Sequence, residues 1–141
     1  WSSDVCSSDL ANAYTRGGPV RVTGPWEIVE TSEYATWFGS LTEKQQAAVM
    51  ERVALLREKG PTLNRPIVDR IKSSAHHNMK ELRIASDGAI RVLFAFDGFR
   101  RGVLLVGGIK SDGNKWNEWY GEQVAAADAL FDRHLREEEN Q

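Results

Sequence analysis

Residues 78–110 read as three β-patterned segments in immediate succession, and this block limits the fold more than any other part of the chain. The first runs from Asn78 to Ile84, the second from Ile90 to Phe96 and the third from Arg101 to Ile109. Ser86-Asp87-Gly88 and Asp97-Gly98 separate them with turn chemistry. Such short connections pair neighbouring strands antiparallel. Alternation then assigns faces. Leu82 and Ile84 point one way, which leaves Glu81 and Arg83 on the other side. Val92, Phe94 and Phe96 form the core set of the next strand, so Arg91 lies opposite them. Glu81, Arg83 and Arg91 are thus expected to line one surface, with Lys110 closing the last strand beside it.

The flanking segments supply helices to cover this sheet. Pro25-Trp-Glu-Ile-Val-Glu30 alternates apolar and acidic residues and predicts a first strand. Thr31 or Ser32 can cap a short helix through Phe38 with Tyr34, Trp37 and Phe38 as its buried stripe, and Gly39-Ser40 breaks it. Thr42-Glu-Lys-Gln45 has capping-box spacing. The helix it opens carries Val49, Val53 and Leu56 on one face and stops at Gly60-Pro61. Residues 60–78 read as irregular, pinned by Ile67, Val68 and Ile71. A last helix spans roughly 115–136, with His134 expected at the surface. The order β-α-α-β-β-β-α describes an α+β fold, a small mostly antiparallel sheet packed by helices.

A chain of 141 residues suits a single domain, placed at 25–136, with 137–141 as a polar tail. No apolar run approaches the ~20 residues of a membrane-spanning helix, and a cytoplasmic protein without membrane contact is expected. Residues 1–24 are read as a leader outside the domain. The first ten, Trp-Ser-Ser-Asp-Val-Cys-Ser-Ser-Asp-Leu, are what a common sequencing-library adapter encodes in frame. Residues 11–24 carry no periodicity, and a native start is expected near Val20 or Val22. Setting the first ten aside removes Cys6, the only cysteine, and with Asp4 and Asp9 it takes the formal charge from −2 to 0. The remaining charge is uneven. Residues 61–120 hold ten Lys/Arg against six acids, while 121–141 hold two against six. A basic middle can grip a polyanion even in a neutral protein.

The Glu81/Arg83/Arg91 trio suits metal-independent RNA cleavage, in which the 2′-hydroxyl attacks the adjacent phosphate. Arginine forks match phosphate oxygens and stabilise charge that builds on phosphorus. Arg83 and Arg91 take that role, and Glu81 is either a base or a partner orienting an arginine. The plainer alternative is a cross-strand ion pair, worth only ~0.2–1 kcal/mol when exposed. Lys110 is assigned to phosphate contact or to a solvated strand end. Lys80 alternates with Leu82 and serves substrate only if it curls out at the strand start. His76 and His77 can carry protons or stack on a base, with Asn78 beside them, or form an ordinary polar loop. Adjacent histidines without cysteine or ligand spacing do not point to a metal, and no cofactor is expected. Trp116, Trp119 and Tyr120 share a helical face that packs on the sheet, unless Trp119 and Tyr120 reach a cleft as substrate-binding residues and Tyr120 stacks on a nucleotide.

These segments together resemble the RelE/HigB group of bacterial toxins, in the phage-derived HigB-like branch of the RelE/ParE superfamily. The resemblance covers roughly 25–136. It is carried by His76-His77-Asn78, Met79-Lys-Glu-Leu-Arg83, Arg91-Val-Leu-Phe-Ala-Phe96 and Leu104-Leu-Val through Lys110 to Trp119-Tyr120. It implies the toxin component of a toxin–antitoxin system, a ribosome-dependent endoribonuclease cutting messenger RNA, with a cognate helix-turn-helix antitoxin, the ribosome and mRNA as partners. A non-enzymatic DNA gyrase inhibitor of the ParE kind and an inactive phage-derived binding relative are the alternatives.

Overall fold

The computed structural model describes residues 25–85, 89–110 and 113–140, and for 113–116 the backbone only. The leader with Cys6, the turn at 86–88 and the side chain of Trp116 therefore lie outside the described residues. Among these residues five strands and three α-helices follow one another as β1 (Glu27–Glu30), α1 (Ser32–Gly39), α2 (Glu43–Lys59), β2 (Val68–Arg70), β3 (Met79–Ala85), β4 (Ala89–Phe96), β5 (Arg101–Lys110) and α3 (Gly113–Glu139). Across the sheet the order is β1-β5-β4-β3-β2. β1 runs parallel to β5, and all other neighbours are antiparallel. The expected α+β arrangement is therefore present, with one strand more than the sequence pattern gives. β2 arises inside the stretch read as irregular, where Val68 pairs with Leu82 and Asp69 with Glu81. Three residues are too few to register an alternation.

The helices form where their caps dictate. Thr31 Oγ1 accepts from the Tyr34 N–H at 3.2 Å and donates to the Leu104 carbonyl at 2.9 Å, so the cap of α1 is also a tie to β5. Thr42 and Gln45 make the full reciprocal capping box, with bonds of 3.2 and 3.0 Å. This satisfies two of the N–H groups that a helix start leaves without partners.

Each sheet face carries its own core. Leu82, Ile84, Ile90, Val92, Phe94 and Leu104 pack against Tyr34, Val49 and Leu56 of α1 and α2. Met79, Leu93, Ala95, Val103 and Leu105 pack against Val124, Ala127 and Phe131 of α3. Every large side chain buried in this way contributes roughly 1.5–3 kcal/mol. A register shift on β5 opposite Leu93/Phe94 sends both Leu105 and Val106 toward α3. Beyond it, Gly107 and Gly108 form a notch. A Cβ on Gly107 would lie 2.5 Å from the Trp37 ring of α1, and one on Gly108 only 2.1 Å from the Trp119 ring of α3. Both indoles need bare backbone beneath them. Trp119 thus packs on the sheet, as its helical face predicts.

His134 is not a surface residue. It is 7% exposed and lies 2.8 Å from Asp97 Oδ2, because it continues the inward face that runs through Val124, Ala127 and Phe131.

Candidate functional site

Glu81, Arg83 and Arg91 meet on the face covered by α3. Arg83 and Arg91 are directly opposite each other on β3 and β4. Two like charges in that position repel, and acids placed around them offset the cost. Arg83 Nε donates to Glu81 Oε2 at 2.8 Å, and Arg83 Nη2 donates to Asp69 Oδ2 at 2.9 Å. Arg91 Nε lies 3.9 Å from Glu81 Oε1, and Arg91 Nη1 donates to the Ile90 carbonyl. The Glu81 side chain is 8% exposed, whereas that of Arg83 remains 37% exposed. A buried carboxylate therefore holds an arginine whose outer edge meets solvent.

α3 completes the group. Tyr120 donates a hydrogen bond to Glu81. Burial, the negative charge of Glu81 and this bond all push the phenol above its ordinary range, so the proton stays on Tyr120 at neutral pH. Asp69 is held below the usual carboxylate range, chiefly by the hydrogen bond from Arg65 at 2.9 Å, with help from the Arg70 N–H and the Arg83 charge. The Glu81 hydrogen bond is the largest influence raising the pKa of Arg83. The lowered Asp69 and the raised Arg83 hold their charges at neutral pH, and together they fix the exposed edge of the Arg83 guanidinium.

The other expected residues divide. Lys110 ends β5 opposite Ala89, two positions from Gly108, and so shares the face of Trp119 and Arg91 at the exposed rim. Lys80 turns to the opposite face, where its ammonium lies 5.6 Å from the Phe96 ring, as its alternation with Leu82 requires. The structure does not bring it to the Glu81 group. Nor does it bring His76 there. His76 Nε2 is 2.8 Å from Asp132, and its ring stands edge-on to Phe131 at 5.0 Å. Asp132 is twelve positions beyond Tyr120 on α3, about 18 Å along the axis. Ser74 and the Ala75 N–H bond to Asp128, which docks this loop on the helix and leaves His77 and Asn78 exposed.

Asp69 and Arg65 belong to the group and are absent from the expected set. The available signal was Val68 followed by Asp69, one buried and one turned to the other face, in a strand too short to stand out. Among the described residues no three His, Cys, Asp or Glu side chains are placed to hold a metal ion, and no helix is long and apolar enough to cross a membrane.

Residues 36–132 match the family model described as "Phage derived protein Gp49-like (DUF891)". The Mycobacterium tuberculosis protein named "Putative toxin HigB3" is 45% identical over 111 residues, covering 79% of this chain and 95% of that protein. "Putative toxin HigB2" of the same organism is 37% identical over 113 residues, again 79% of this chain, but the chain spans only 55% of its length. Among solved structures, the RelBE2 toxin–antitoxin complex of M. tuberculosis aligns with a TM-score of 0.47 at 17% identity, covering 61% of this chain and 99% of that one. The archaeal RelE–RelB complex of Pyrococcus horikoshii OT3 aligns at 0.49 and 13%, covering 63% and 99%. By the family model and by the near-complete span of the HigB3 relative, this chain belongs to the phage-derived Gp49-like family, as its resemblance to HigB-like proteins implies.

Proposed function

We propose that this chain is the toxin of a toxin–antitoxin system and that it cuts messenger RNA on the ribosome without a metal. The names of its two mycobacterial relatives support the toxin role. The observation that carries the chemistry is Arg83, anchored on two carboxylates at 2.8 and 2.9 Å with its outer edge exposed beside Arg91. A scissile phosphate docks on that edge. The 2′-oxygen attacks phosphorus, the bond to the 5′-oxygen breaks, and the products are a 2′,3′-cyclic phosphate and a 5′-hydroxyl. The proton lost by the 2′-hydroxyl is balanced by the one the leaving oxygen gains. Arg83 and Arg91 stabilise the charge of the pentacoordinate state. Both Glu81 oxygens face cationic or phenolic donors, so Glu81 acts as the partner that orients the arginines rather than as the base. Lys110 and Tyr120 border the same surface, Lys110 for phosphate contact and Tyr120 as the proton-bearing partner of Glu81. A helix-turn-helix antitoxin is the proposed neutralising partner.

Induction in bacteria with mapping of transcript ends tests this reading. Cuts within translated messages are expected, and Arg83→Ala or Arg91→Ala should each lower the cutting rate by roughly 10²–10³-fold, the usual cost of one charge-stabilising donor. Growth arrest with DNA damage and intact messages would sink the nuclease in favour of a gyrase inhibitor.

A further inference from the structure

We infer that the chain carries a second RNA-backbone contact, at the far end of the sheet and on the face opposite Glu81, Arg83 and Arg91. This rests on RNA as the substrate class proposed above, but not on the cleavage chemistry.

All five strands have an end at this rim. Trp26 precedes β1, Arg70 ends β2, Lys80 stands near the start of β3, Phe96 ends β4 and Arg101 opens β5. Cations and rings alternate across it. The Arg100 guanidinium lies 4.6 Å from the Trp26 ring, Trp26 meets Phe96 edge-on at 5.0 Å, and the Lys80 ammonium lies 5.6 Å from Phe96. Arg70 stands directly opposite Lys80 in the β2–β3 register. Two like charges side by side weaken a sheet, and neither forms an ion pair with an acid among the described residues. A phosphate between them would relieve the repulsion. The last turn of α2 adds Arg57 and Lys59 to the same rim, since the Arg57 carbonyl accepts the Trp26 N–H at 2.7 Å and Gly60 lies against the Trp26 ring.

Two further features mark the tip of the β4–β5 hairpin. Phe99 is 66% exposed there, on the side of Arg101, whose guanidinium lies 5.1 Å from the ring and is paired with Glu138 of α3. Next to it Arg100 holds φ at +61°, a left-handed conformation that glycine adopts more easily. Glu27 and Glu58 are the exposed acids of this rim. Asp97 and Glu138 are engaged by Arg101 at 2.8 and 2.9 Å, and Glu137 and Glu139 belong to α3 on the other face. The α2-side approach is thus cationic, with the Arg100 and Lys80 side chains laid over the packed rings of Trp26 and Phe96. Phosphates meeting Arg70, Lys80 and Arg100 make a grip that tolerates any sequence.

Binding of the whole chain to labelled single-stranded RNA, measured by fluorescence anisotropy across a series of KCl concentrations, tests this surface. Wild type should bind with a salt-dependent Kd. The double variant K80Q/R100Q should bind about tenfold more weakly and flatten the salt dependence by about 1.4 in log–log slope, because two phosphates are no longer neutralised. Among the described residues Arg70 lies against no aromatic ring, so R70Q keeps the test valid if the double variant melts early, and it should flatten the slope by about 0.7. Unchanged affinity and slope in folded R70Q and K80Q/R100Q would assign the rim to packing alone and overturn the inference. The two readings fail separately. RNA bound but never cut, with the affinity loss in these variants, leaves the rim standing without the nuclease, whereas RNA cut with affinity unchanged in these variants leaves the nuclease without the rim.

Discussion

On the proposed chemistry, Asp69 is expected to matter more for RNA cleavage than for stability. It shares the orientation of Arg83 with Glu81, yet its ion pair with Arg83 is partly exposed, and such pairs contribute little. Asp69→Asn should therefore cost no more than about 1 kcal/mol in urea unfolding. The same change should lower RNA cleavage by about tenfold, because Arg83 loses one of two anchors and a misplaced phosphate ligand is expensive in rate. Equal losses in both measurements would make Asp69 a purely structural residue. At this scale the sequence was legible wherever alternation ran long enough. Leu82, Val92, Phe94 and Phe96 are buried, and Glu81, Arg83 and Arg91 share the opposite face, as strand periodicity requires. Asp69 stayed hidden because three residues make no pattern. His134 did so because its inward position follows from helical spacing with Phe131, which a polar residue type obscures.

The contact between β5 and α3 is where packing reaches the site. Trp119 fits on the bare backbone of Gly108, and the next residue, Tyr120, bonds to Glu81. Gly108→Ala would place a methyl carbon 2.1 Å from the indole, so the start of α3 must shift away from the sheet. Overpacking of this kind costs about 1–3 kcal/mol. Urea unfolding should show that loss, and hydrogen exchange should quicken around Trp119 and Tyr120 before it quickens in β4. Unchanged exchange there would mean that Trp119 turns aside without moving the helix. A glycine pair inside a strand is a sequence-level sign of close approach. What approaches was not legible, since the crossing of α3 over β5 is set by tertiary packing. The helix caps at Thr31 and Thr42 and the strand ends, which depend on neighbours a few residues away, were legible to within a residue or two.

Across the whole molecule, Asp97 joins the β4–β5 hairpin to the far end of α3 through His134 and Arg101, each at 2.8 Å. Burial alone would raise its pKa, but hydrogen bonds from His134, the Phe99 N–H and Arg101 together hold it below the usual carboxylate range. A folded-state value below the unfolded value of about 3.9 stabilises the protein at higher pH. That contribution is fully present above about pH 5 and is lost as pH falls through the lower folded value. Asp97→Asn should therefore cost about 3–5 kcal/mol at neutral pH, as expected when one partner of a buried pair is removed. It should also flatten the acid side of the stability curve measured by chemical denaturation from neutral pH to pH 2. A variant that keeps the wild-type acid slope would place the acid sensitivity elsewhere.

The parallel pairing of β1 with β5 has a consequence in time. The Thr31 hydroxyl finds its Leu105 partner 74 residues later in the chain. At a synthesis rate of 5–20 residues per second that separation is about 4–15 s of translation. Until β5 emerges, the first strand has no neighbour, and until α3 follows, Glu81 lacks Tyr120. A nascent chain still attached to its own ribosome would therefore reach the assembled Glu81–Arg83–Tyr120 group only after Tyr120 and the α3 residues that dock it have been made.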